Sequence, residues 1–415
     1  EGMYQHIDRS ARSFTQYQTF PSAAARADLA AQSLPDIDAE DRRSIWDRPQ
    51  AFTQKYNIYN WRAEAVQAGQ KLIYQGQRSV SKLSSLGPLD YGDFFTDFDT
   101  VQNSYTKSTG TSHEIRLQND ERVADMFDYV VGFFTGKGGT DIALTREDAV
   151  TLFGNVYALP VTNIAVQAPA KETSFFGNLT WHIGDNTELS GGVRHINYKA
   201  KDGGTFITFP GGAGGLARLD PERDENEWIY TASIKHNFTD DLMVYASTGT
   251  SWRPPLAPVG VFAGVFPGTE QYLTVEAEES QSYEIGLKST LFDNRVRFNV
   301  SGFYQEFENY PYRPSTGVYY VSINGPAPSD QRVDEFNFVT GVPVEIYGIE
   351  AELGWEINDN WDLNVLAAYA HGEIKNGTIA CNDFDGDGNP DPRPATAADL
   401  LTLTNGAGIA TCDVT

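Results

Sequence analysis

Tyr347-Gly348-Ile349-Glu350-Ala351-Glu352-Leu353-Gly354-Trp355-Glu356-Ile357 puts an apolar side chain at every second position and a glycine or glutamate in each gap. Successive side chains of a β-strand point to opposite faces, so this stretch makes a strand with one oily and one charged face. Asn358, Asp359 and Asn360 then form a tight polar turn, and Trp361, Leu363, Val365, Ala367 and Tyr369 restart the alternation. From Pro343 to Tyr369 the chain spells out one antiparallel hairpin. A single hairpin of this kind could belong to a soluble sheet, but its repetition along a chain marks a membrane barrel.

The pattern does repeat. Ser112 to Gln118 turns near Asn119 and Asp120 and returns through Phe127, Tyr129, Val131 and Phe133. Phe175, Gly177, Leu179, Trp181 and Ile183 lead to a turn at Gly184, Asp185 and Asn186, with Leu189, Gly191 and Val193 coming back. Trp228, Tyr230, Ala232 and Ile234 pair across Thr239, Asp240 and Asp241 with Leu242, Val244 and Ala246. Tyr283, Ile285, Leu287 and Leu291 pair across Asp293 and Asn294 with Val296, Phe298, Val300, Gly302 and Tyr304. With a less regular pair between Ala63 and Val101, these hairpins predict about twelve strands. Turns at one end hold two to four polar residues, whereas connections at the other end, such as Gly136 to Lys171 and Lys201 to Asn226, are long. Short turns on the periplasmic side and long loops outside are the barrel signature. Trp181, Phe238, Phe292, Trp355 and Trp361 gather beside the short turns, where an interface belt of aromatics would lie. Residues 1–60 lack the alternation; Ala23 to Ala31 and Asp36 to Trp46 read as short helical or irregular pieces of a long loop, with the barrel starting at residue 61 and running to 415.

Composition sets limits on function. No apolar run of the 415 residues is long enough for a membrane helix. A mean hydropathy of −0.40 does not argue against a barrel, because strands show only alternate residues to lipid. The net charge of −25 leaves no basic surface for nucleic-acid phosphates. The six histidines form no His-x-x-x-His or Glu-x-x-His pair, and no Gly-x-Ser-x-Gly elbow or P-loop occurs, so a metal or nucleophilic enzyme is not expected. Glu1 to Ser10 has neither the basic start nor the apolar core of a signal peptide. The pattern ends in a polar loop at Thr415, so the chain is expected to be part of a larger barrel, incomplete at both ends.

Four segments, in order, carry a resemblance. They are Tyr245-Ala246-Ser247-Thr248-Gly249-Thr250-Ser251-Trp252-Arg253-Pro254-Pro255, Glu279-Ser280-Gln281-Ser282-Tyr283-Glu284-Ile285-Gly286-Leu287-Lys288, Phe303-Tyr304-Gln305-Glu306-Phe307-Glu308-Asn309-Tyr310 and Ile346-Tyr347-Gly348-Ile349-Glu350-Ala351-Glu352-Leu353. Together with Ser112-His113-Glu114-Ile115-Arg116-Leu117, this set resembles the outer-membrane TonB-dependent receptors from roughly Ala63 to Thr415. The family's amino-terminal plug, its TonB box and its closing strands are not recognisable here. The resemblance implies an all-β transmembrane antiparallel barrel in the outer membrane of a Gram-negative bacterium. It further implies energised uptake of a scarce small ligand, such as an iron-siderophore, a carbohydrate or a cobalamin-like molecule. Outer-membrane lipid and the TonB complex, reached through the plug of the parent protein, would be its partners, and no catalysis is expected. A passive porin and a secreted all-β carbohydrate-active enzyme are the alternatives.

Three features of the long loops could carry binding. Phe262, Phe266 and Tyr272 in one loop and Tyr310, Tyr312, Tyr319 and Tyr320 in another could stack on a sugar, catechol or corrinoid, or could only pack their own loops. Asp383, Asp385, Asp387, Asn389 and Asp391, with Gly386 at the sixth place, follow the first nine positions of a calcium loop, but Pro394 stands where the bidentate glutamate belongs. The stretch is either a weak calcium loop or a solvated acidic turn. Cys381 and Cys412 flank it and are expected to pair in an exported protein.

Overall fold

The computed structural model describes residues 2–11, 50–88, 101–152, 155–200, 203–208, 214–220, 222–256, 272, 274–315, 317–323, 331–404 and 409–414. One antiparallel sheet contains β1 (Gly2–Ala11), β2 (Gln50–Gln67), β3 (Gln70–Pro88), β4 (Val101–Asn119), β5 (Phe127–Leu152), β6 (Asn155–Ile183), β7 (Thr187–Ala200), β8 (Gly203–Thr208) and β9 (Gly214–Asp220). It continues through β10 (Arg223–Thr239), β11 (Leu242–Arg253), β12 (Glu278–Leu291), β13 (Val296–Tyr312), β16 (Thr340–Asn358) and β17 (Trp361–Ile374). Between and after these stand β14 (Val318–Ile323), β15 (Gln331–Phe336), β18 (Gly377–Cys381), the helix α1 (Ala397–Thr404) and β19 (Ala410–Val414). Each strand of the main path pairs with its neighbour in sequence, except where the β8–β9 and β14–β15 hairpins branch off. Among the described residues β1 and β17 are the two edges and do not pair with each other.

The turns follow from their residues. Ala68 and Gly69 both adopt positive φ between β2 and β3, the two-residue geometry that matches the twist of a hairpin. Gly184, with a φ of +62°, opens the turn from β6 to β7.

Register aligns the faces. On one face Trp355 stands opposite Val296 and Leu363, Leu353 opposite Phe298 and Val365, and Ile349 opposite Gly302 and Tyr369. The same face continues through Ile285 opposite Ala246, Ile234 opposite Leu189, and Leu179 opposite Tyr129. Large apolar side chains on it stand open: Ile285 is 62% exposed, Phe175 62% and Trp361 69%. A contiguous oily surface of this extent is stable only against lipid. The opposite face is polar and cross-linked: Arg194 pairs with Glu172 at 2.6 Å, Lys235 with Glu188 at 3.0 Å and Arg297 with Glu352 at 3.0 Å. Glycine fits where an aromatic ring lies across the neighbouring strand; a Cβ on Gly286 would fall 2.4 Å from the Tyr245 ring.

Three expectations change. Residues 1–60 are not one loop, since β1 lies inside them and β2 begins at Gln50 and crosses the expected boundary at 60. The segments read as short helical pieces, 23–31 and 36–46, lie outside the described residues. The expected loop from Gly136 to Lys171 is mostly ladder, because β5 and β6 stay paired out to Leu152 and Asn155. The expected loop from Lys201 to Asn226 contains β8, β9 and the start of β10. The main path holds thirteen strands among the described residues, in line with the twelve or so expected, the additional one being β1. One cause explains all three changes: beyond the membrane both faces of a strand meet water, so backbone pairing continues with no apolar alternation to reveal it.

Candidate functional site

Above the wall, the chain leaving β13 and β17 folds into a small module. Val318 to Ile323 pair with Phe336 to Gln331, and Gly377 to Cys381 pair with Val414 to Ala410. Cys381 and Cys412 are joined by a disulfide, with Cα atoms 5.8 Å apart and 31 residues of separation. Closing a loop of that size lowers the entropy of the unfolded chain by an equivalent of about 3 to 4 kcal/mol. The bridge packs with Val342 and Ile379, Val318 packs with Phe338 and Ala380, and Leu400 of α1 packs with Tyr319 and Val333. Thr396 caps α1: its hydroxyl accepts the Asp399 N–H at 3.1 Å while its own N–H donates to the Asp399 carboxylate at 3.1 Å.

The loop aromatics divide between this core and its surface. Tyr319 is 8% exposed, and burial holds its phenol above the usual range. Tyr272 lies 5.4 Å from the Phe338 ring, and Tyr312 packs on the cluster around the disulfide. These three hold the module together, so the stacking expected of Tyr319 is not available at the surface. Tyr310 stays 37% exposed, edge-on to Phe307 at 5.6 Å, and Tyr320 is half-buried. Phe262 and Phe266 lie outside the described residues.

The acidic loop winds around its own carboxylates. Asp383 accepts the N–H groups of Gly386 at 2.7 Å, Asp387 at 3.1 Å and Gly388 at 3.1 Å, and Asp391 accepts the Phe384 N–H. Gly386 and Gly388 supply the positive φ that this winding requires, +78° and +82°. Asp383, Asp385 and Asp391 each bring one carboxylate oxygen within 4.8 Å of the others, and among the described residues no other such cluster of ligating side chains forms. The Asp387 carboxylate lies outside that trio, although its backbone N–H donates to Asp383 and Asp385, and it pairs instead with Asn389, whose amide donates to it at 3.1 Å. That side-chain bond, then the Asn389 backbone N–H, holds the Asp387 carboxyl below the usual aspartate range.

Sequence alone missed Asn382 and Glu278. The side-chain amide oxygen of buried Asn382 accepts the Tyr319 N–H at 2.5 Å and so ties β14 to the disulfide loop. Its place beside Cys381 is the only hint the sequence offers. Buried Glu278 pairs with Arg253 at 3.2 Å, while Arg223 donates to the Pro255 carbonyl at 2.8 Å, which pins the Trp252-Arg253-Pro254-Pro255 segment to its neighbours.

Known proteins match this architecture. Residues 4–408 match the family described as TonB dependent receptor-like, beta-barrel. The "Probable TonB-dependent siderophore receptor PiuA" of Acinetobacter baumannii is 28% identical over 198 residues, covering 43% of this chain and 23% of that receptor. The crystal structure of the ferric yersiniabactin uptake receptor FyuA from Yersinia pestis superposes with a TM-score of 0.57 at 16% identity, covering 79% of this chain and 44% of that one. The copper transporter OprC gives a TM-score of 0.55 at 14% identity, covering 78% of this chain and 47% of that one. The chain spans less than half the length of each of these three proteins.

Proposed function

Because the chain belongs to the family of TonB-dependent receptor β-barrels, we propose that it forms the wall and surface loops of an outer-membrane receptor for energised uptake of a chelated metal, the siderophore class first. The observation that carries this is the two-faced wall: an exposed apolar face for lipid and an ion-paired polar face for a lumen. The same contrast argues against a secreted enzyme, whose sheets would bury their apolar faces in water. Relatives named for siderophore, yersiniabactin and copper transport support a metal-bearing cargo, while the choice among cargoes rests with the loops. In this mechanism the disulfide-stapled module and its neighbours hold ligand outside, and force on a plug opens the lumen.

The test is uptake of radioiron from a panel of ferric siderophores by cells that carry the full-length receptor as their only such route. Uptake should saturate and should stop when the proton-motive force is collapsed or TonB is deleted. Unsaturable uptake that survives both treatments would make the barrel a porin.

The calcium loop enters as a separate proposal. Asp383, Asp385 and Asp391 would supply a partial oxygen shell with an affinity of about 10⁻⁴ to 10⁻³ M, the range of extracellular modules. Calorimetry of the oxidised receptor with calcium tests it. The absence of heat at millimolar calcium, or heat unchanged by Asp385→Ala, leaves a solvated turn.

A further inference from the structure

A net charge of −25 conceals a basic side on the outward face. Lys55, Lys82, Lys107, Lys171 and Lys199 each stand twelve residues from the turn-side end of their strand, and Lys137 stands ten. Six adjacent strands, β2 to β7, thus present one lysine each at nearly the same height. Even spacing along each strand puts them on the outward side, with Trp61, Tyr74, His113, Phe133, Phe175 and His195.

Register gathers the lysines into two rows. Lys82 stands directly opposite Lys55 on one side and Lys107 on the other, and Lys171 stands opposite both Lys137 and Lys199. Residues so placed hold their Cβ atoms about 4.5 to 5.5 Å apart, and like charges there are destabilising. Two carboxylates answer the rows among the described side chains: Asp224, 2.7 Å from Lys199, and Asp141, which stands opposite Lys107. Of the six lysines, Lys199 alone has an ion pair among the described side chains, and all but Lys107 are exposed. Two rows of three mutually repelling ammonium groups are short of counter-charge.

Their height says where that charge comes from. At a rise of about 3.4 Å per residue and a tilt near 40°, twelve residues climb about 31 Å, just beyond an apolar band about 25 Å tall. Beneath the rows lie the ring pairs Trp61 with His113 at 5.7 Å and Phe133 with Phe175 at 4.9 Å, in the interface belt. The ammonium groups therefore stand at headgroup level with an apolar wall directly below. A molecule that satisfies both is anionic at its head and apolar in its tail. Each row of three spans two strand spacings, about 10 Å, which suits a headgroup with more than one phosphate. At the same height on β12, β13 and β17 stand Glu279, Glu308 and Glu373, so the other side of the wall repels such a headgroup.

We propose that the two lysine rows hold the phosphate groups of a glycolipid of the outer leaflet, whose acyl chains lie on the apolar wall beneath. This rests on the reading of the wall as an outer-membrane barrel; uptake of the transported ligand does not enter the readout, so the two fail separately. Native mass spectrometry of the full-length receptor in mild detergent, offered diphosphoryl lipid A and phosphatidylglycerol in equal amounts, tests it. Wild type should retain lipid A in preference. Lys82→Gln together with Lys171→Gln, the centres of the two rows, should lower retention about fivefold at each row. Arginine at both positions should keep it. Lys288→Gln, which removes a lysine from the inward face of β12, should leave retention unchanged. The double glutamine exchange removes every directly opposite lysine pair, so in lipid-free detergent that variant should resist denaturation at least as well as wild type. Unchanged retention in the glutamine variant, equal retention of phosphatidylglycerol, a glutamine variant less stable than wild type without lipid, or cross-links from these lysines to the glutamates of a second copy would overturn the assignment.

Discussion

Val342 and Ile349 stand seven residues apart on β16 in opposite surroundings. Ile349 is 58% exposed on the lipid face, whereas Val342 is fully buried beside the disulfide in the module above. Both belong to antiparallel ladders, and the solvent accounts for the difference. In hydrocarbon an exposed isoleucine is already in an apolar medium, so the wall needs no core of its own, only complete backbone pairing. In water the module must bury its apolar groups, and a unit this small gains from a covalent staple. The wall should therefore fail when charge is placed on its outside, and the module when its staple or its inside is disturbed.

The largest effect expected is on the module. Replacing Cys381 and Cys412 together by alanine should remove about 3 to 4 kcal/mol of constraint from the loop they close. Limited proteolysis should then cut between residues 382 and 411 while the wall keeps its resistance to denaturation in gels. Loss of the folded wall in the same variant would mean that module and wall are one cooperative unit. The mirror experiment places arginine at Leu353 or Val365, which face each other across β16 and β17 about five residues from the turn. At that depth a charge facing lipid should cost about 2 to 4 kcal/mol. Glu352→Ala, on the polar face, should change folding far less, because it removes only an exposed bond to Arg297 and a half-buried one to Asn299. Folded fractions in outer-membrane vesicles measure all three, and equal tolerance would reverse the face assignment.

That contrast also explains how much of the molecule the sequence makes legible. Residues 347–369 declare face, register and turn, because lipid on one side and polar groups on the other impose a two-residue period on every strand between. Where water wets both sides the period vanishes, so β1, β8, β9 and the far halves of β5 and β6 leave no trace beyond backbone pairing. The module is harder still: its core draws Tyr272, Val318, Tyr319, Phe338, Leu400 and Cys412 from distant stretches, and their meeting depends on tertiary packing alone. Loop aromatics such as Tyr319 and Tyr310 look alike in sequence; only packing separates the one that is buried from the one that faces out.

A smaller effect separates packing from polar anchoring inside the module. Asn382→Leu would leave the Tyr319 N–H without its acceptor, and an unpaired buried donor costs about 1 to 3 kcal/mol. Hydrogen exchange should then rise at Tyr319 and across the β14–β15 pairing, with β16 and β17 unchanged. Unchanged exchange at Tyr319 would show that the hydrophobic contacts with Val333 and Leu400 hold β14 without the asparagine.

The smallest effect belongs to the acidic loop and comes from pH. Hydrogen bonds from Asn389 lower the Asp387 carboxyl below the ordinary aspartate value near 3.8, so the ionised form is favoured in the folded loop over the unfolded one. Such a group contributes stability that is full above the unfolded value and is lost as pH falls through the lower folded value. The carboxylate is open to solvent, so the contribution is small, and its direction rather than its size is the readout. Amide protection at Asn389, whose N–H donates to Asp387 at 2.8 Å, should hold steady from neutral pH down to about 5 and fall below about 4. Asp387→Asn should flatten that profile without disturbing the disulfide cluster, because Asp387 lies outside the carboxylate trio and outside the buried core. A profile that keeps its acid limb in the variant would show that Asp387 is not the group behind it.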